Sequence, residues 1–139
     1  MLKMKELSVL LFALLLSSCA SQRYGNFTQV SQGRDVYLAQ DAASQLTRVY
    51  PPAQNTFCIS QKVRDAFGIS LIHEMRKKGY GVIENNCPKQ KANFFYVVDE
   101  IKATNLYRVS LFIGSQTFSR IYAKTGGKIP PVSAWTHKE

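Results

Sequence analysis

The chain is short of the residues that carry chemistry. It has two histidines, three cysteines, one tryptophan and nine acidic residues against eighteen basic ones. An enzyme needs side chains that converge on one point, and few here have the spacing to do so. His73 stands beside Glu74 in a helical stretch, where adjacent positions do not face each other, and His137 is almost at the end. Asp99 and Glu100 are neighbours in a strand, so they point to opposite faces and cannot work as a paired acid and base. Cys58, Cys87, His73 and His137 lack the short ligand spacings of structural zinc. Gly79-x-Gly81 and Gly126-Gly127 lack the strand–glycine–helix context of a phosphate cradle and read as turns. No catalytic residue, metal or cofactor is therefore expected. There is no internal repeat or low-complexity tract, and the apolar run over residues 7–16 falls short of the roughly 20 residues that a membrane span needs.

That short run has a different reading. Lys3 and Lys5 precede it, and Leu16-Ser17-Ser18-Cys19 follows it with small residues directly before a cysteine. A basic start, a short apolar segment and small residues at the cleavage point make a secretory signal. The cysteine makes the last part a lipobox, in which Cys19 takes a diacylglycerol and becomes the first residue of the mature protein. Residues 1–18 are thus expected to be a lipoprotein signal peptide; the alternative is an ordinary signal in which Cys19 is incidental. Ala20 and Ser21 follow, without the Asp at the second mature position that retains lipoproteins in the inner membrane of enteric-type bacteria. The expectation is an outer-membrane lipid anchor with the domain facing the periplasm.

Cleavage would leave 121 residues, enough for one small domain. Removing Lys3, Lys5 and Glu6 leaves sixteen basic and eight acidic residues, spread along the chain. Such a surface favours anionic partners, whether lipid head groups, acidic protein faces or nucleic acid, and selects none of them. No base-reading or stacking motif is present, so no direct nucleic-acid contact is expected. Cys58 and Cys87 are a candidate disulfide in an oxidising compartment; two independent thiols are the alternative.

Residues 19–33 are polar and small and read as a flexible tether, in which Tyr24 and Phe27 are unusual. Asp35 is placed to cap a helix running to about Tyr50, with Ala39, Ala42, Ala43, Leu46 and Val49 as its apolar stripe and Pro51-Pro52 as its stop. Thr56-Phe57-Cys58-Ile59-Ser60 reads as a strand. Asp65 begins a second helix whose face is Phe67, Leu71, Ile72 and Met75; Arg76-Lys77-Lys78 and Gly79 close it. Strands follow near residues 79–83, 94–101, 106–113 and 116–124, with Gly114-Ser115 as a two-residue hairpin turn. In the third of these the odd positions are apolar, so Arg108 and Ser110 face away from the helices, and Phe112 makes that outer face partly apolar. The fold expected is α+β: a small two-layer domain over residues 34–125, two helices on a mainly antiparallel sheet of about four to five strands. Residues 126–139 are an extended tail whose Trp135 folds back or inserts into a partner.

The lipobox, Arg23-Tyr24-Gly25-Asn26-Phe27, Val49-Tyr50-Pro51-Pro52-Ala53, Asp65-Ala66-Phe67-Gly68, Lys78-Gly79-Tyr80, Tyr107-Arg108-Val109, Ser119-Arg120-Ile121-Tyr122 and Ser133-Ala134-Trp135-Thr136 together resemble the TrbH family of conjugal transfer lipoproteins. Their order and spacing carry the resemblance; Cys58 and Cys87 depart from the family pattern. The resemblance implies a non-catalytic part of a type IV secretion, or mating-pair-formation, apparatus that anchors or stabilises the outer-membrane channel assembly. Its partners would be other secretion subunits at the outer membrane and the bilayer itself through Cys19, with oligomerisation through the complex. Candidate partner contacts are Tyr24, Phe27, Arg108, Arg120 and Trp135. The alternative is a basic periplasmic lipoprotein that binds an anionic cell-envelope polymer.

Overall fold

The computed structural model describes residues 23–28 and 32–139. Cys19 and the signal segment lie outside the described residues. Helix α1 (Gln32–Val49) buries Asp35, Leu38, Ala39, Ala42, Ala43 and Leu46, a stripe at spacings of three and four. The helix starts three residues before Asp35. Asp35 therefore sits in the first turn and does not cap it; the carboxylate instead accepts from Asn26 Nδ2 at 3.1 Å. Val49 at the other end is exposed, and Leu38 joins the stripe in its place.

Helix α2 (Ala66–Lys77) is capped as its sequence implies. Asp65 takes an extended conformation and its side chain accepts from the Gly68 backbone N–H at 2.9 Å. The far end closes on Gly79, which has φ +97°, a conformation glycine adopts at little cost. Phe67, Leu71, Ile72 and Met75 are all buried. Arg76 in the last turn donates to the Val82 carbonyl and to Glu84, so a local role accounts for it.

Among the described residues seven strands make one mixed, mostly antiparallel sheet: β1 (Gly25–Asn26), β2 (Thr56–Ile59), β3 (Gly81–Glu84), β4 (Asn93–Glu100), β5 (Leu106–Ile113), β6 (Gln116–Ala123) and β7 (Thr136–Lys138). The order is β3-β2-β4-β5-β6-β7, with β1 also on β4. The five longer strands are those the alternation and β-prone runs predict; β1 and β7 are additional. From β4 to β7 every neighbour is antiparallel, and Gly114 at φ +58° opens the β5–β6 turn. The other side is parallel, because α2 crosses over between β2 and β3.

Strand β4 begins where β2 ends: Cys58 is opposite Asn93 and Ile59 opposite Phe94. The loop over residues 85–92 therefore only has to pass the end of β2. Beyond that point the same edge of β4 is taken by β1, with Gly25 opposite Val97 and Asn26 opposite Val98. Two short strands thus lie end to end along one long strand. The joint between them is bridged by Ser60, whose N–H donates to the Phe94 carbonyl, and by Gln61 Oε1, which accepts from the Tyr96 N–H at 2.6 Å.

Phe94, Tyr96 and Val98 of β4, alternate residues of β5 from Tyr107 to Ile113, and Phe118 and Tyr122 of β6 are buried in one core with both helices. Burying an aromatic or leucine side chain contributes about 1.5–3 kcal/mol, so these positions dominate the stability of so small a domain. Asp41 of α1 fastens the helix to β6: Arg120 Nη1 donates to both of its oxygens, and the Tyr122 hydroxyl donates to Oδ2. Burial first, and then that hydrogen bond, raise the Tyr122 phenol above its ordinary range and keep it a donor.

Candidate interaction site

Part of the segment expected to be a flexible tether belongs to the domain. The Phe27 N–H donates to the Val98 carbonyl, extending β1, and the Tyr24 ring stacks on Phe95 at 4.1 Å and meets the edge of Phe112 at 5.7 Å. This explains why Phe112 breaks the alternation of β5. The outer face of the sheet has an apolar spot, and Tyr24 covers it. Phe27, two residues further on from Gly25, is 51% exposed.

The tail is also part of the sheet. Strand β7 pairs with β6, Ser119 opposite Thr136, and the Val132 N–H donates to the Ile121 carbonyl. Trp135 packs against the core, and His137 stacks on Phe118 at 4.3 Å. Arg120 is engaged inside the fold, by Asp41 and by the Ser133 carbonyl at 2.9 Å. Arg108 is exposed on the outer face, paired across the β4–β5 ladder with Asp99 at 2.6 Å. That hydrogen bond raises the Arg108 guanidinium further above its ordinary value. Of the five candidate contacts, then, Phe27 and Arg108 are the ones left at the surface. Sequence reasoning missed four exposed apolar side chains among the described residues, Val36, Tyr37, Ile69 and Val132. Tyr37 and Ile69 carry a legible signal, since both are apolar residues off the buried stripe of their helix.

Cys58 and Cys87 are brought together, with Cα atoms 5.6 Å apart, within the range of a bridge. Cys87 comes from the loop that passes the end of β2, so the contact fixes that loop over the sheet. Ser60 Oγ lies 3.2 Å from Cys87 Sγ and donates to Asn93 Oδ1 at 2.7 Å.

The joint between β1 and β2 opens to the surface as a cleft of about 530 Å³. Arg23, Lys62 and Arg64 line it, with the Tyr24–Phe95 stack on one wall and Gln61 among its lining. Asp65 is the acidic member of the lining, and its carboxylate is occupied by the Gly68 N–H and the Tyr96 hydroxyl. None of the three basic side chains has an ion pair among the described residues. Nearby, the Asp35 carboxyl is pushed up to about 6, mainly by its burial and against the pull of Asn26, which favours the charged form. Among the described residues no three His, Cys, Asp or Glu side chains are grouped to hold a metal ion, and no helix is long and apolar enough to cross a membrane.

The family model for conjugal transfer protein TrbH matches residues 21–139. The chain belongs to the TrbH family. The match takes in both helices, all seven strands and the tail. No curated protein and no solved structure matches the chain. The family establishes a conjugal transfer protein and with it the context of conjugation machinery.

Proposed function

We propose that this TrbH protein is a lipid-anchored, non-catalytic component of the mating-pair-formation apparatus, held at the outer membrane by Cys19 and stabilising the channel assembly there. The observation that carries the reading is the juxtaposition of the lipobox Leu16-Ser17-Ser18-Cys19 with the family match, which starts two residues after Cys19. Stable anchoring by two or more acyl chains follows from about 0.8 kcal/mol for each buried methylene. In this reading the Cys58–Cys87 pair is oxidised, as the periplasm favours.

The role is mechanical. The anchor holds the start of the mature chain, and β1 ties the chain into the sheet from Gly25, six residues after Cys19, so that force or position can pass from bilayer to domain. Exposed apolar side chains such as Phe27 and Val132 suit contacts with other subunits, since apolar and aromatic anchors carry most interface energy. The test is membrane fractionation and mating efficiency for wild type, a gene deletion and Cys19→Ser. Loss of outer-membrane fractionation and of plasmid transfer in Cys19→Ser supports the anchor. Full transfer from the deletion strain contradicts the proposal.

A further inference from the structure

We propose that the cleft at the β1–β2 joint binds the phosphate of an anionic lipid head group in the leaflet that holds Cys19, so that the domain is clamped to the bilayer at a second point. The inference rests on the lipid anchor proposed above. Three observations meet at this place.

Charge is the first. Arg23, Lys62 and Arg64 converge on the cleft without acidic partners among the described residues, whereas Arg76, Arg108 and Arg120 each have one. Asp65, the single lining carboxylate among the described residues, is already bonded twice within the domain. Cations that face one opening and lack counter-charges favour an oxyanion, and arginine suits phosphate because its planar fork can donate two parallel bonds.

The second is an unspent donor. Tyr96 presents an N–H to Gln61, so the side-chain oxygen must face it and Nε2 must face away. That Nε2 is buried and has no hydrogen-bond partner among the described residues. Buried donors are ordinarily satisfied. Gln61 is part of the cleft's lining, so a phosphate oxygen bound there is the partner we assign to this donor.

Position is the third. Arg23 is four residues after Cys19. An extended chain covers at most about 3.6 Å per residue, so the anchored backbone can be no more than about 14 Å from the cleft's first lining residue. An acylated Cys19 therefore holds the cleft within reach of the head groups, and the Tyr24–Phe95 wall offers apolar surface beside the cations. A tethered ligand site also gains effective concentration, because its lipids are already present in the plane of the anchor.

The test uses the full-length processed protein in nanodiscs. Mass spectrometry comes first: a protein without acyl chains on Cys19 refutes the anchor and the head-group source together, independently of any ligand measurement. For the acylated protein, the thermal midpoint is compared in phosphatidylcholine discs with and without phosphatidylglycerol. A rise of about 5 °C is expected with the anionic lipid. The rise should vanish in Lys62→Gln/Arg64→Gln and persist in Lys89→Gln/Lys91→Gln, which removes the same charge from the exposed loop over residues 85–92. Gln61→Glu, which keeps the acceptor for Tyr96 but replaces the free donor, should also abolish the rise. No rise, or an equal loss in the loop variant, overturns the site. A full rise with inorganic phosphate in phosphatidylcholine discs would instead assign the cleft to free phosphate.

Discussion

At the residue scale, the domain is held by polar groups whose burial sets their behaviour. Asp35 is 2% exposed and its carboxyl is raised from 3.8 to about 6, so the folded state prefers it protonated. Its contribution to stability is therefore full below about pH 3.8 and is lost as pH rises through 6. Asp35→Asn keeps an acceptor for Asn26 and removes the charge. Thermal melts should find the variant more stable than wild type by about 1–2 kcal/mol at pH 7.5 and equal to it below pH 4. A less stable variant at pH 7.5 would mean that the ionised carboxylate is the form the fold needs. Gly68 is constrained by space: a Cβ there would lie 2.0 Å from the Tyr96 hydroxyl and 2.7 Å from Val63. Gly68→Ala should cost about 2–4 kcal/mol in urea unfolding, by displacing a ring that also donates to Asp65. Nothing in the sequence around Gly68 marks it as more than a helix residue, because the clash comes from a strand 28 positions away.

At the scale of elements, what was legible is what has a local cause. The second helix is readable to the residue, since Asp65, its apolar stripe and Gly79 are all within one segment. The first is readable in the middle and misread at its start, because Asp35 resembles a cap while its carboxylate serves Asn26. Strands β4, β5 and β6 follow from alternation. Strands β1 and β7 are two and three residues long, too short for any period, and form only because β4 and β6 present open edges. The cleft is invisible for the same reason: Arg23 and Lys62 meet only through the shared edge of β4. The proposed Cys58–Cys87 bridge makes an element-scale prediction. It closes a loop with a sequence separation of 29, for which the chain-entropy model gives about 3–4 kcal/mol. Urea midpoints with and without reductant should differ accordingly. Equal midpoints would show that the pair does not bridge the loop in solution.

At the scale of the whole molecule, both ends of the described chain are built into the sheet: β1 on β4 and β7 on β6. If Cys19 carries the proposed anchor, a domain that pairs Gly25 and Asn26 to β4 is suited to fix distance and orientation. The helices cover one face of the sheet, and Tyr24 covers the apolar spot on the other; Phe27, Val36, Tyr37, Val49, Ile69 and Val132 are the large apolar side chains exposed among the described residues. Assembly contacts through such points should resist salt, unlike contacts made through the basic surplus. The most direct test of the anchoring role is a pull-down of tagged protein from donor-cell envelopes in high salt, comparing wild type, Cys19→Ser and Phe27→Glu. Recovery of outer-membrane channel subunits with wild type, and their loss in Cys19→Ser together with the outer-membrane fraction, is the predicted result. Wild type coming down alone, with transfer unaffected by deleting the gene, would contradict it.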